Sequence, residues 1–161
     1  MNGLLADLLS ERAYLIADGA TGTNAFELGL RPGSPPDLWN ISEPEKPKSI
    51  HKAFVDSGAD IILTNTFGSN PHRLILDKMD HKYKEINVNG ARLAREVADR
   101  ACRPVVVAGS MGPTGGMMEP YGDLTADVVE ETFARQATAL AEGGCDVIWI
   151  ETIFAFDELE A

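Results

Sequence analysis

Ser57-Gly58-Ala59-Asp60-Ile61-Ile62-Leu63-Thr64-Asn65-Thr66 and Gly143-Gly144-Cys145-Asp146-Val147-Ile148-Trp149-Ile150-Glu151-Thr152 are two versions of one module. Each leaves a helix through a Gly-containing tight turn, passes an Asp, runs through an apolar β-rich stretch and ends on polar residues. The interval between them has room for one further strand-and-helix unit. Working outward, apolar strands fall at residues 14–17, 61–64, 105–108 and 147–150. Helical patterns fill a short stretch after Thr21 and the ranges 47–57, 84–102 and 125–142. Along 84–102 Ile86, Gly90, Leu93, Ala94, Val97 and Ala101 recur at steps of three or four and form one helix face. Thr125 offers an N-cap, and Gly143-Gly144 a stop. Regular alternation of strand and helix implies an α/β protein with a parallel sheet. A βα module recurring at this spacing favours a (β/α)₈ TIM barrel, of which the chain supplies roughly the first four βα units. A doubly wound sheet would also accommodate four units.

Composition narrows the function classes. The 161 residues include 14 Lys and Arg against 25 Asp and Glu, a formal net charge of −11. Such a chain has little with which to neutralise a polyanion, so no nucleic-acid partner is expected. No stretch approaches the run of about 18 apolar residues that a membrane span needs. The first residues mix Leu with Asp7, Glu11 and Arg12 and lack the pattern of a signal peptide. Cys102 and Cys145 stand far apart in no metal-finger spacing. A cytoplasmic setting with free thiols is therefore expected. His51, His72 and His81 do not cluster with other ligands, and surface roles are expected for them. The sequence stops at Ala161 within an acidic helix start. Residues 1–161 thus read as the N-terminal half of a single barrel domain with no second domain. Oligomeric state is open, and a homo-oligomer is compatible with the sequence.

In parallel α/β proteins ligands bind at the C-terminal ends of the strands. Those ends read Asp18-Gly19-Ala20-Thr21-Gly22-Thr23, Asn65-Thr66-Phe67-Gly68-Ser69-Asn70, Gly109-Ser110-Met111-Gly112-Pro113-Thr114-Gly115 and Glu151-Thr152. All four are polar or Gly-rich directly after apolar runs. Asp18 and Glu151 are the two carboxylates of this rim, with no Lys or Arg close by in sequence. They suit an ammonium group, which needs hydrogen-bond acceptors. The amides of Gly19 and Ala20, at the start of a helix, suit the carboxylate of the same ligand. The site expected is one for an α-amino acid. The plainer readings are a turn or cap role for Asp18 and a rim ion pair for Glu151. Asn65 occupies the place of Glu151 in the other module and is expected to point into the same mouth, with loop stabilisation as its alternative. Phe67 is a candidate wall. The loop at 31–36 is expected to cover the mouth beside the first strand. The Gly-Pro-Thr-Gly run at 112–115 lacks the Gly-Lys-Thr ending of a phosphate loop and reads as a tight rim turn.

These segments resemble the homocysteine S-methyltransferase family, which includes betaine–homocysteine methyltransferases and the N-terminal module of cobalamin-dependent methionine synthase. The resemblance runs through Ala17-Asp18-Gly19-Ala20-Thr21-Gly22-Thr23, residues 58–70, Val107-Ala108-Gly109-Ser110-Met111-Gly112-Pro113-Thr114-Gly115 and Trp149-Ile150-Glu151-Thr152. It also includes Glu85-Ile86-Asn87, which opens the helix into residues 91–96. The resemblance implies a (β/α)₈ barrel that binds homocysteine and zinc. Zinc lowers the thiol pKa, and the thiolate attacks an activated methyl group to give methionine. It further implies that Asp18 and Glu151 take the homocysteine amino group and that the backbone around Gly19 and Ala20 takes its carboxylate. The substrate-binding set is then Asp18, Gly19, Ala20, Thr21, Asn65, Thr66, Phe67, Ser110 and Glu151. Candidate donors are betaine, a sulfonium compound, a methylfolate and methyl-cobalamin.

One departure counts. The family's zinc ligands are three cysteines late in the barrel, two of them in a Gly-Gly-Cys-Cys-Gly segment, and neither segment occurs here. In Gly143-Gly144-Cys145 the next residue is Asp146, and the run precedes a strand instead of ending one. This chain is therefore expected to hold no metal and no catalytic residue, and to be inactive alone. The rival readings are another amino-acid- or phosphate-binding enzyme without metal, and a non-catalytic binding or assembly half-barrel paired with a second half.

Overall fold

The computed structural model describes residues 3–161. In chain order the elements are α1 (Leu4–Glu11), α2 (Thr21–Glu27), α3 (Trp39–Ser42), α4 (Glu45–Asp56), β1 (Ile61–Leu63), α5 (Pro71–Leu74), α6 (Tyr83–Asp99), β2 (Val106–Met111), α7 (Ala126–Gly143), β3 (Val147–Ile150) and α8 (Phe156–Glu160). Single 3₁₀ turns occupy Pro36–Leu38, Ile75–Asp77 and Asp80–Lys82. The three strands form a parallel sheet in the order β1-β2-β3, with Ile61 opposite Val106 and Ala108 opposite Val147. Among the described residues no helix is long and apolar enough to cross a membrane.

Both faces of the sheet carry apolar side chains, as a parallel sheet requires. On one, Ile62, Val105 and Val107 pack against Val55 of α4 and against Ala94, Val97 and Ala98 of α6. Met111 and Ile148 extend this layer toward Ala91 of α6 and Phe133, Ala137 and Leu140 of α7. Ile62 and Val107 are fully buried, and burial of such side chains contributes about 1.5–3 kcal/mol each. On the other face, Ile61, Leu63, Val106, Ala108, Val147 and Trp149 meet Leu4, Leu5 and Leu8 of α1. That helix has no counterpart in the sequence reading, because its eight residues carry too short an apolar stripe to stand out from an acidic background.

The strand expected at 14–17 is the main correction to the fold. Only Ala17 pairs with the sheet, opposite Ile61. The backbone N–H of Ile16 donates to the Asp60 carboxylate at 3.1 Å instead of to a neighbouring carbonyl. With a neighbour on one side only, Tyr14 and Ile16 stay 73% and 54% exposed and a regular ladder does not develop. The third strand is longer than the expected 105–108. It continues through Gly109 and Ser110 to Met111 and is buried throughout. Gly109 allows this, since a Cβ there would sit 3.1 Å from Leu140 of α7. The last long helix follows its signals. Thr125 Oγ1 accepts from Val128 N, and Gly144 stops the helix at φ 95°, a left-handed conformation that glycine adopts without a Cβ penalty.

His51 corrects a second expectation. It is not a surface residue: it lies inside α4, 1% exposed, and neither ring nitrogen has a hydrogen-bond partner. Burial lowers its pKa to about 4, so the ring is neutral at pH 7. His72 is half-buried and His81 exposed.

Candidate functional site

A cavity of about 780 Å³ opens at the C-terminal ends of the strands. All nine residues singled out from the sequence border it: Asp18, Gly19, Ala20, Thr21, Asn65, Thr66, Phe67, Ser110 and Glu151. They arrive from four separate places along the sheet. The chain beside β1 delivers residues 18–21, the turn after β1 delivers 65–67, and β2 and β3 deliver Ser110 and Glu151.

The acidic end is held by backbone and hydroxyl donors. Asp18 Oδ2 accepts from Leu63 N at 2.9 Å. Glu151 Oε1 accepts from Ser110 Oγ at 2.6 Å, and Glu151 N donates to Met111 O at 3.0 Å. Ser110 is fixed in turn, because its N–H donates to Thr64 Oγ1 at 3.0 Å and its carbonyl accepts from Thr66 Oγ1 at 2.8 Å. Thr152 follows Glu151 with φ 62°, a left-handed conformation that costs a β-branched residue and concentrates at functional sites. Burial pushes the Asp18 pKa up to about 6; the bond from Leu63 N opposes this, and the nearby Glu151 charge adds to it. A carboxyl that ionises reluctantly beside a second carboxylate gains most from a ligand cation. Next to Asp18, the N–H groups of Gly19 and Ala20 make no hydrogen bond to other described residues, and so stand free for an acceptor.

Asn65 borders the cavity, but its amide works inward. Its Nδ2 donates to Pro36 O at 2.9 Å and to Asn40 Oδ1 at 3.1 Å, while Asn40 Nδ2 returns a bond to Asn65 O at 2.7 Å. Two further buried amides brace the same turn. Gln136 Nε2 donates to Thr66 O at 2.8 Å, and Asn87 Nδ2 to Ser69 O at 2.8 Å. Gly90 of α6 makes the approach possible, since a Cβ there would collide with both Thr66 and Asn40. The loop-stabilising alternative for Asn65 therefore describes its contacts. Phe67 tucks its ring under Gly112 and walls the cavity.

Asp37 and Arg73 are among the lining residues that escaped the sequence reading. Asp37 is buried and accepts from Gly68 N at 2.9 Å and Ser69 Oγ at 2.8 Å, which ties the loop after Gly33 to the turn after β1. Burial raises its pKa, against the pull of these donors and of Arg73. Arg73 of α5 also lines the cavity, with its guanidinium 5.7 Å from the Phe67 ring centre. Arg73 is thus a cation on the cavity wall, but it acts on Asp37 and is not among the groups that act on Asp18. The spacing from Thr66 through the Asn70 cap, which accepts from Arg73 N at 2.8 Å, was the available signal.

The sequence profile of the homocysteine S-methyltransferase family matches residues 15–161. The methionine synthases of Mycobacterium tuberculosis and Mycobacterium leprae are 32% and 30% identical over 98% of this chain. The chain spans 14% of the length of each. The metallated form of the homocysteine methyltransferase MmuM from Escherichia coli superposes with a TM-score of 0.83 over 98% of this chain and 60% of its own, at 23% identity, a likeness of fold. With the profile running through every strand end that borders the cavity, the chain belongs to the homocysteine S-methyltransferase family.

Proposed function

We propose that this chain forms the homocysteine-binding part of a homocysteine S-methyltransferase, an enzyme that moves a methyl group from a donor to the homocysteine thiolate and yields methionine. One observation carries the reading. Asp18 and Glu151, from the first and last strand positions, act on each other across a single cavity and have no cation of their own. The homocysteine ammonium would lie between them, and its carboxylate against the Gly19 and Ala20 amides. Ser110 would hold Glu151 in place through its 2.6 Å bond, and Phe67 would exclude water from the side chain. The surrounding architecture in this reading is a (β/α)₈ barrel to which the chain contributes the first four βα units. A cytoplasmic setting accords with two free thiols.

Zinc is the metal that the family resemblance implies, where it would lower the pKa of the substrate thiol. The residues described here do not fit it. None of their His, Cys, Asp and Glu side chains gather in threes around a common point. Cys145 is packed against Leu140 and Gly109, and burial raises its thiol pKa, the reverse of a metal-bound thiolate. Cys102 is exposed beyond the end of α6. No step is therefore assigned to a metal held by these side chains.

The test is methionine formation from homocysteine by the intact protein, supplied in turn with betaine, a sulfonium donor, a methylfolate and methyl-cobalamin. Turnover with one of them is expected. A folded, metal-replete protein that converts homocysteine with none of them would overturn the reading.

A further inference from the structure

Glu158 is a buried carboxylate outside the set that borders the cavity. It lies in α8, a short acidic helix whose Phe156 and Leu159 are exposed, yet it is itself only 6% exposed. Its Oε1 accepts from Thr114 N at 2.8 Å and from Thr114 Oγ1 at 2.6 Å. A carboxylate is kept out of water only where donors are fixed upon it. Thr114 is fixed in this way: it is buried and stands in the rim turn after β2. That turn is tied to the one after β1, with Gly112 N donating to Phe67 O at 3.0 Å and Asn70 Nδ2 to Pro113 O at 3.1 Å.

One stretch of chain therefore holds two carboxylates. Ser110 Oγ donates to Glu151 and Thr114 Oγ1 to Glu158, each at 2.6 Å. Residues 151–158 are thus pinned at both ends to residues 110–114. Between the pins nothing local fixes the backbone. The N–H groups of residues 152–155 donate to no described backbone carbonyl, and the Phe154 side chain is exposed. Yet Thr152, directly after Glu151, stands at φ 62°. A β-branched residue keeps that conformation only where its surroundings impose it. The Ser110 bond fixes the residue before Thr152, and the Thr114 bonds fix the chain after it.

We propose that Thr114 and Glu158 are positioning residues for the substrate amine: their pairing holds Thr152 in its left-handed conformation and so keeps the Glu151 carboxylate at the cavity. This rests on the homocysteine reading above. The test titrates the intact protein by calorimetry with homocysteine and with its amine-free analogue, mercaptobutyrate. The ratio of the two Kd values reports the grip on the amine. Thr114→Val keeps the shape and the backbone donor but loses the hydroxyl. It and Glu158→Ala should each lower that ratio at least about threefold, as the loss of one hydrogen bond does. Thr114→Ser, which keeps the hydroxyl, should hold the ratio near the wild-type value. If Glu158→Ala does not fold, the isosteric valine variant decides alone. A merely structural pair would lower Tm and leave the ratio as it was, so an unchanged ratio in folded Thr114→Val would overturn the proposal. A ratio in Thr114→Ser as low as in Thr114→Val would overturn it too. If the wild type shows no preference for homocysteine, the amine reading itself fails, and the positioning role fails with it.

Discussion

The two copies of the strand module do the same work at one end and different work at the other. At the N-terminal ends, Asp60 accepts from Ile16 N at 3.1 Å and Asp146 from Val107 N at 2.8 Å. Each clamps the neighbouring segment, Asp60 the stretch at Ile16 and Asp146 β2, and is itself held by an arginine, Asp60 by Arg12 at 2.7 Å and Asp146 by Arg95 at 2.9 Å. At the C-terminal ends the copies part. Asn65 spends its amide on Pro36 and Asn40, whereas Glu151 spends one oxygen on Ser110 and keeps its charge at the cavity. The repeat is structural at the base, and chemistry enters only at the tips.

Exchanging the tip residues would break the comparison most severely. Asn65→Glu would place a carboxylate beside the Pro36 carbonyl in a buried site, and should cost about 3–5 kcal/mol in denaturant unfolding, the penalty of an uncompensated buried charge. Glu151→Asn should leave stability nearly unchanged. Similar losses for both would mean that the tips are equivalent. At the base the expectation is symmetry. Asp60→Asn and Asp146→Asn each remove a charge-assisted bond and an ion pair, and should each cost about 1–3 kcal/mol. An effect confined to one would show that the modules differ there too.

In pH dependence, tip and core have opposite signs. Folded Asp18 takes up its proton at about 6 instead of at 3.8. It opposes folding above pH 6, and that penalty fades as pH falls toward 4. Folded His51 has its pKa lowered from 6.5 to about 4, so its contribution is complete above 6.5 and is lost as pH falls toward 4. Asp18→Asn should therefore make the acid limb of a Tm-against-pH curve steeper, and His51→Leu should make it shallower. The same direction in both variants would contradict the two burials.

Much of this was legible in the sequence, and what was not has local causes. The strand ending at Ile150 and the helix capped by Thr125 carry signals within a few residues of one another, so they appear where the pattern puts them. Residues 14–17 have a strand's composition but only one neighbour, and pairing is a property of neighbours. His51 sits at a polar-looking position in a helix whose surroundings close over it from elsewhere. Arg73 and Asp37 reach the cavity from a short helix and a 3₁₀ turn that no periodicity announces. Asp18 and Glu151 could be read because strand ends converge by topology; the cavity's cation could not, because α5 is placed by the Asn70 cap and by the amides that brace the turn after β1.

The central claim is that Asp18 and Glu151 together hold a substrate amine. Calorimetric binding of homocysteine and of mercaptobutyrate, the same thiol acid without the amine, to the wild-type protein and to Glu151→Gln tests it directly. The account predicts at least about a tenfold preference for homocysteine in the wild type, as one charge-assisted pair supplies, and its collapse in the variant. An equal preference in both proteins, or none in the wild type, would contradict it.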